Sequence, residues 1–290
     1  MKRNIYAEWL AAFLFLLPNL VGFTVFLVLP TVASFVIGLT EWRLLDQPVF
    51  VGLQNFRNLL ADTRFWITLK NTAYYTFVRV PINVVISLVL AVLLNQRIRG
   101  RNMLRTALFL PVVLSIVAVA VMWRPLVESS GFLNSALTMM GLRPIPWITS
   151  TRYAMPTVIM IGVWREIGYF MVIFLAGLQA IPSMYYEASR IDGASVFQQF
   201  WRITLPLVSP TTFFIVVVAM IWSFQVFDLT NVLTGGGPRN ATNTLVMYIY
   251  QSAFQNFRMG YASALAFVLF IIVLILTIVQ KKAATRWVHY

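Results

Sequence analysis

The stretch Tyr186–Pro206, YEASRIDGASVFQQFWRITLP, is a polar island in a chain that is otherwise mostly apolar. Polar residues are too frequent in it for a bilayer span, and its patterning is too regular for a slack loop. Pro182 opens the island and Pro206 closes it. Gly193 between them predicts two short helices joined by a sharp turn, because glycine takes left-handed backbone angles without the steric cost of a Cβ. Ser195 with Gln198 three residues later matches a capping box, which predicts a helix from about 196 to about 204. Phe197, Phe200 and Trp201 then fall along one side at spacings of three and four, with Gln198, Gln199 and Arg202 elsewhere on the circumference. Such a face suits a groove on another protein, and it equally suits an amphipathic helix lying among lipid headgroups.

Working outward, 60% of the 290 residues are hydrophobic and only 11% charged, with a mean hydropathy of +0.80. Soluble domains carry about 25% charged residues, so this composition indicates a polytopic membrane protein. The net charge of +13 does not indicate nucleic acid, because Lys and Arg sit between apolar runs and not on one soluble face. Cysteine is absent, which removes disulfides, thiolate metal sites and cysteine nucleophiles.

A spanning helix needs about 20 mostly apolar residues. Six segments qualify, at about 10–38, 72–95, 106–127, 154–180, 206–232 and 259–279, and they predict an all-α bundle of six transmembrane helices in a single domain, with the segment 183–205 set apart. The run that follows Lys2 and Arg3 is too long for a signal-peptide core, so it reads as an uncleaved first span. With the N-terminus in the cytoplasm, the inner loops carry 11 Lys and Arg over about 53 positions and the outer loops 9 over about 89. The bias, firmest in the cluster from Arg97 to Arg101, puts both termini and the island inside. Residues 40–71 predict a short interfacial helix with Trp42 and Trp66 near the headgroups, and FLNSALTMMGL in the loop 128–153 predicts a further helical piece ended by Gly141 and Pro144. Every loop is under about 35 residues, too short for an attached catalytic module.

Arg79, Arg165, Glu166 and Asp228 are charged residues that fall within spans. A charge at this depth is costly and faces protein or water, so each either bonds to another helix or lines a substrate path. Adjacent residues on a helix point in different directions, so Arg165 and Glu166 are not assumed to pair. In the fifth span Trp222, Phe224, Gln225, Phe227, Asp228 and Asn231 alternate rings with hydrogen-bonding groups. Rings that stack on a sugar's apolar faces, beside groups that bond its hydroxyls, suit a polyol, and ordinary helix packing with polar glue would use the same residues. The run TGGGPRN at 234–240 lacks the Lys and Ser or Thr of a phosphate loop and reads as a flexible turn. His289, the one histidine, stands next to the end of the chain, and no set of nucleophile, base and orienting residue is visible, so no catalytic residue and no metal site is expected.

Within the island, Glu187, Ala188 and Ser189, then Gly193, then Ile203, Leu205 and Pro206 resemble the EAA signature of permeases of binding-protein-dependent ABC importers. That signature runs EAA, three residues, Gly, nine residues, Ile, one residue, Leu-Pro; Ser189 stands where it has a second Ala. The surrounding IDGAS and the stretch FQVFDLTNVLTGGGP resemble the carbohydrate-uptake, maltose-type branch. The resemblance covers nearly the whole chain, since six spans with the island between the fourth and fifth is also the family layout. It implies that the island forms coupling helices docked in a cleft of a cytoplasmic ATPase, with Glu187 meeting its basic or polar groups, Gly193 supplying the bend, Phe197 and Trp201 acting as anchors, and Asp192, Leu205 and Pro206 among the coupling residues. It further implies a second permease subunit, two ABC ATPase subunits that hold the ATP and Mg, an extracytoplasmic sugar-binding protein, and a multi-pass location in the cell membrane in contact with lipid. This chain would hold no cofactor of its own. Substrate would pass Gln225, Asp228 and Asn231, then Trp222, Phe227 and Arg165. A phosphorylated solute would instead favour Arg165 or Arg79 in the pathway. A stand-alone secondary transporter would explain the spans but not the island.

Overall fold

The computed structural model describes residues 5–96 and 98–285, with side chains from Trp9 onward. Lys2, Arg3, Arg97, Arg286 and His289 lie outside the described residues. Helix α1 (Ile5–Phe23) passes through a π-helical turn, Thr24–Val28, into α2 (Leu29–Gly38). Strands β1 (Thr40–Glu41) and β2 (Val49–Phe50) pair antiparallel, and α3 (Gln54–Ala61) follows. Next come α4 (Thr63–Asn95), α5 (Arg101–Val113), α6 (Ile116–Val127), α7 (Phe132–Met139) and α8 (Ala154–Gln179). The island holds α9 (Ser183–Ile191), α10 (Val196–Gln199), a π-helical turn Phe200–Thr204 and α11 (Leu205–Leu207). The chain continues through α12 (Ser209–Phe224), α13 (Asp228–Thr234), α14 (Leu245–Tyr250) and α15 (Met259–Ala284). Among the described residues five helical runs are long and apolar enough to cross a membrane, and α10–α11 with α12, bent by 62°, make a sixth when taken as one span. The architecture is the expected all-α membrane bundle.

Three helical stretches differ from their sequence-based outlines. The third is interrupted at Leu114 and Ser115, both extended, where Ser115 precedes the first residue of α6. The fifth stops at Phe224 and restarts at Asp228, so Gln225, Val226 and Phe227 are unwound. Helix α4 starts at Thr63, earlier than the apolar run alone indicates, because Asp62 ends α3 in an extended conformation and the polar first turns of α4 are helical. Trp66 is therefore on the long helix, and only α3 is a separate short one.

Residues up to Asp62 with Ile249–Ile271 form one compact unit. Within it the rings of Phe35, Phe56 and Phe267 cluster in tilted and edge-on contacts, with Phe35 and Phe267 centroids 4.7 Å apart. Asn55 is buried and donates to the carbonyls of Gly38 and Thr40 at 2.9 and 2.8 Å, which ties α3 to the end of α2. The π-helical turn before Pro30 is where the chain accommodates a residue with no N–H and a bulky ring, by widening the preceding turn.

Thr63–Tyr248 with the residues from Ile272 on form the second unit. Its centre is the pair α4 and α8, which run parallel: Tyr75 and Arg79 lie against Gly162, and Ser87 donates to the carbonyl of Ile167 at 3.0 Å. A Cβ at Gly162 would sit 2.8 Å from the Tyr75 hydroxyl, and one at Gly168 would overlap the main chain of Leu108 on α5. Small residues let helices approach this closely where lipid gives no hydrophobic drive for association. Along α4 the residues Thr68, Thr72, Thr76, Arg79, Asn83 and Ser87 are all buried, a polar stripe at spacings of three and four. The run 234–240 is tied down and is not a flexible turn: Asn71 of α4 donates to the carbonyls of Asn240 and Asn243 at 2.7 and 2.9 Å, and Thr242 bonds Thr234 and the carbonyl of Gly237. Gly235 and Gly236 supply the left-handed angles, with φ of 60° and 82°.

Candidate functional site

A cavity of about 460 Å³ opens between α4, the break before α6, α8 and the unwound residues after α12. Its lining includes Arg79, Arg165, Glu166 and Asp228, together with Tyr75, Tyr169, Trp222, Gln225 and Phe227. Arg79 and Glu166 form a buried ion pair, and Arg79 Nη1 also donates to Ser223 Oγ at 2.9 Å. One guanidinium thus joins α4, α8 and α12. The other carboxylate oxygen of Glu166 lies 3.9 Å from Arg165 Nη1, so the neighbours in sequence do meet, because both side chains turn toward the same cavity. Arg165 also reaches the Leu114 carbonyl, at 3.4 Å, in the break between α5 and α6. Gln225 and Asp228 are exposed, and both face the cavity. Trp222 stacks with Tyr169 at 5.2 Å and with Phe170 at 5.8 Å. The unwinding is what places Gln225, Phe227 and Asp228 together, since backbone without helical bonds is tolerated at membrane depth where it lines a cavity.

The second candidate is the island itself. The capping box is formed: Gln198 N–H donates to Ser195 Oγ at 3.3 Å, and Ser195 N–H donates to Gln198 Oε1 at 2.8 Å. Gly193 has φ +74°, with nothing within 4 Å of the position a Cβ would take, so the residue is required by backbone angle and not by space. Phe197 is 72% exposed and Trp201 53%, with their rings 6.1 Å apart, and Ile191 and Val196 are exposed beside them. Phe200 leaves this face and packs inward with Leu205 against the helices of the second unit, so the outer ring face has two members and not three. Glu187, Ala188 and Asp192 are exposed, Ser189 is buried, and Leu205 and Pro206 are half-buried on the way to α12.

Residues 83–288 match the family described as binding-protein-dependent transport system inner membrane component. The chain belongs to this family. A probable ABC transporter permease of Bacillus subtilis (strain 168), YesP, is 38% identical over 294 residues, covering 100% of this chain and 95% of its own length. The trehalose/maltose transport system permease protein MalF of Thermococcus litoralis is 34% identical over 282 residues, covering 96% and 94%. A chain in the crystal structure of a bacterial ABC transporter involved in the import of alginate superposes with a TM-score of 0.85 at 25% identity, over 98% of both chains. The same importer in complex with an alginate pentasaccharide-bound periplasmic protein gives 0.84, covering 99% of this chain and 97% of that one. The chain is thus an ABC importer permease.

In this permease the structure brings Trp222, Gln225, Phe227, Asp228 and Arg165 to one cavity, whereas Asn231, one turn into α13, is not part of its lining. Tyr75 and Tyr169 also line it and have no place in the sequence-derived pathway, whereas Arg79 and Glu166, expected either to bond another helix or to line a path, do both. The polar stripe on α4 is the signal for Tyr75, which stands next to Thr76 of that stripe, since six polar residues at helical spacing in a span mark an inward face. Among the described residues no group of three or more His, Cys, Asp or Glu could hold a metal ion.

Proposed function

We propose that this permease forms half of the pathway for a neutral sugar and is driven by a partner ATPase. The single observation that carries the substrate class is the cavity wall: two aromatic rings, an amide and a carboxylate around a break in the fifth span, with the charges formally balanced. Rings stack on the apolar faces of a pyranose, and Gln225 and Asp228 bond its hydroxyls. An anionic solute is disfavoured because Arg79 is committed to Glu166 and Ser223, which leaves Arg165 shared between a carboxylate and a carbonyl. The trehalose/maltose permease relative supports the same reading, whereas the alginate importer handles an acidic polysaccharide.

A second permease subunit supplies the other half of the path, two ABC ATPase subunits hold ATP and Mg, and an extracytoplasmic sugar-binding protein delivers the substrate. The coupling segment 183–205 lies on the cytoplasmic side of the cell membrane with both termini, and Phe197 and Trp201 are the residues inserted into the ATPase. Glu187, Ala188, Ser189, Asp192, Gly193, Leu205 and Pro206 shape and orient that contact. The test is to screen the cognate binding protein by thermal shift against sugars, then measure uptake of the stabilising sugar by the reconstituted importer. Gln225→Ala and Asp228→Ala are expected to lower uptake by about tenfold each, the size of one hydrogen bond to a charged or well-placed group. Full uptake in both variants would remove the cavity from the pathway.

A further inference from the structure

Five residues of the island close a ring of hydrogen bonds that the anchor face does not use. Ser189 Oγ donates to the Tyr186 carbonyl at 2.9 Å, and Ala194 N–H donates to the Ser189 carbonyl at 2.9 Å. Gln199 Nε2 donates to the Ala194 carbonyl and Thr204 Oγ1 donates to the Gln199 carbonyl, both at 3.4 Å. The Tyr186 hydroxyl closes the ring, 3.0 Å from Thr204 Oγ1. A threonine hydroxyl has one proton, which Thr204 gives to Gln199, so the tyrosine is the donor in this last bond. Ser189, Gln199 and Thr204 are the buried polar residues of the segment, whereas Phe197 and Trp201 on its outer side are exposed. The inside of the island is therefore polar and satisfied, and its outside is apolar.

The position of the ring matters as much as its closure. Helix α9 stands on one side of the Gly193 turn, and α10 with the π-helical turn stands on the other. The Tyr186–Thr204 bond is the side-chain link between the two sides. From Thr204 the chain passes directly into the 62° bend and α12, through Val208 N–H donating to the Thr204 carbonyl at 2.9 Å. A push on Phe197 would rotate α10 about Gly193 if the two sides were free of each other. With the ring closed, the same push displaces the start of α12, and the far end of α12 carries Trp222 of the cavity and leads directly into Gln225.

We propose that Tyr186 and Thr204 are positioning residues that make the island one rigid lever, so that movement of the docked face reaches the cavity through α12. This inference rests on the reading of the island as the ATPase-docking segment. It is tested in the complete importer, reconstituted with its partner permease, ATPase and binding protein. Since the chain has no cysteine, Gln225→Cys gives a single thiol in it whose maleimide labelling rate reports on the cavity. In otherwise unaltered protein that rate changes when Mg-ATP and vanadate are added. Adding Tyr186→Phe or Thr204→Val is expected to reduce this change by about fivefold, the factor that one neutral hydrogen bond commonly sets. The ATPase subunits stay bound, the double variant is no worse than either single one, and Thr204→Ser restores the response. In the purified full chain, amides 194–205 are expected to exchange hydrogen faster in Tyr186→Phe, a readout independent of the ATPase. An unchanged labelling response with subunits bound, additive losses in the double variant, or unchanged exchange would each overturn the lever. If the unaltered chain retains no ATPase subunit, the docking reading itself fails, an outcome distinct from those.

Discussion

The cavity at the centre of the second unit and the island at its end sort their residues in opposite ways. The cavity gathers charged groups and pairs them within the chain: Arg79 meets Glu166 and Ser223, and Glu166 also faces Arg165. The island buries neutral hydrogen bonds and leaves its large rings outside, on Phe197 and Trp201. The cavity's charges meet within the chain although Arg79 Nε and Arg165 Nε have no hydrogen-bond partner among the described residues, and its rings face inward; the island's rings stand on its outer surface. An exposed ring face beside a rigid polar core marks a surface that another molecule completes. The cavity's ionic core is a property of this chain, whereas in the proposed reading the island's outer face is completed only in the assembled importer.

The difference can be broken first at Glu166. Glu166→Gln leaves the Arg79 guanidinium buried without a counter-charge and is expected to destabilise the isolated chain by about 3–5 kcal/mol, read as a lower unfolding midpoint in detergent. Replacing both partners by Met should recover most of that loss, because removing a buried pair together costs far less than orphaning one member. Gly168→Leu comes next. A side chain there collides with the main chain of Leu108, so a loss of about 3 kcal/mol is expected, again in the isolated chain. Trp201→Ala sharpens the contrast from the other side. Stability of the isolated chain should hardly move, while affinity for the ATPase falls by about 2 kcal/mol, or about 30-fold, as expected of a truncated aromatic anchor. A Trp201→Ala variant that unfolds the chain but binds the ATPase normally would reverse the assignment of the two regions.

Much of this was legible from residue order. Long apolar runs report helices and depth, and the spacing of Glu187, Gly193 and Leu205-Pro206 carries the family. The capping box at Ser195 and Gln198 and the left-handed Gly193 are local events, which is why they could be read before any tertiary contact was known. The breaks at Leu114–Ser115 and Gln225–Phe227 were not legible, because one or two polar residues inside a long apolar run are also compatible with a continuous helix and hydropathy cannot register a backbone that unwinds. Phe200 was misplaced for a related reason: helical spacing puts it near Phe197 and Trp201, but packing against Leu205 and the spans draws it inward. The Arg79–Glu166 pair joins residues far apart in sequence, and no local pattern connects them. The loop 234–240 was read as flexible because glycine is flexible in isolation, whereas Asn71, from a distant helix, holds it.

The central claim is that the exposed ring face of the island is completed by an ATPase. The absence of cysteine makes Phe197→Cys the only thiol in the chain, and a short photoactivatable cross-linker on it can be activated in the assembled importer in its membrane. The account predicts one dominant cross-link, to the ATPase subunit, lost when that subunit is left out. Cross-linking to lipid, with none to the ATPase, would contradict it.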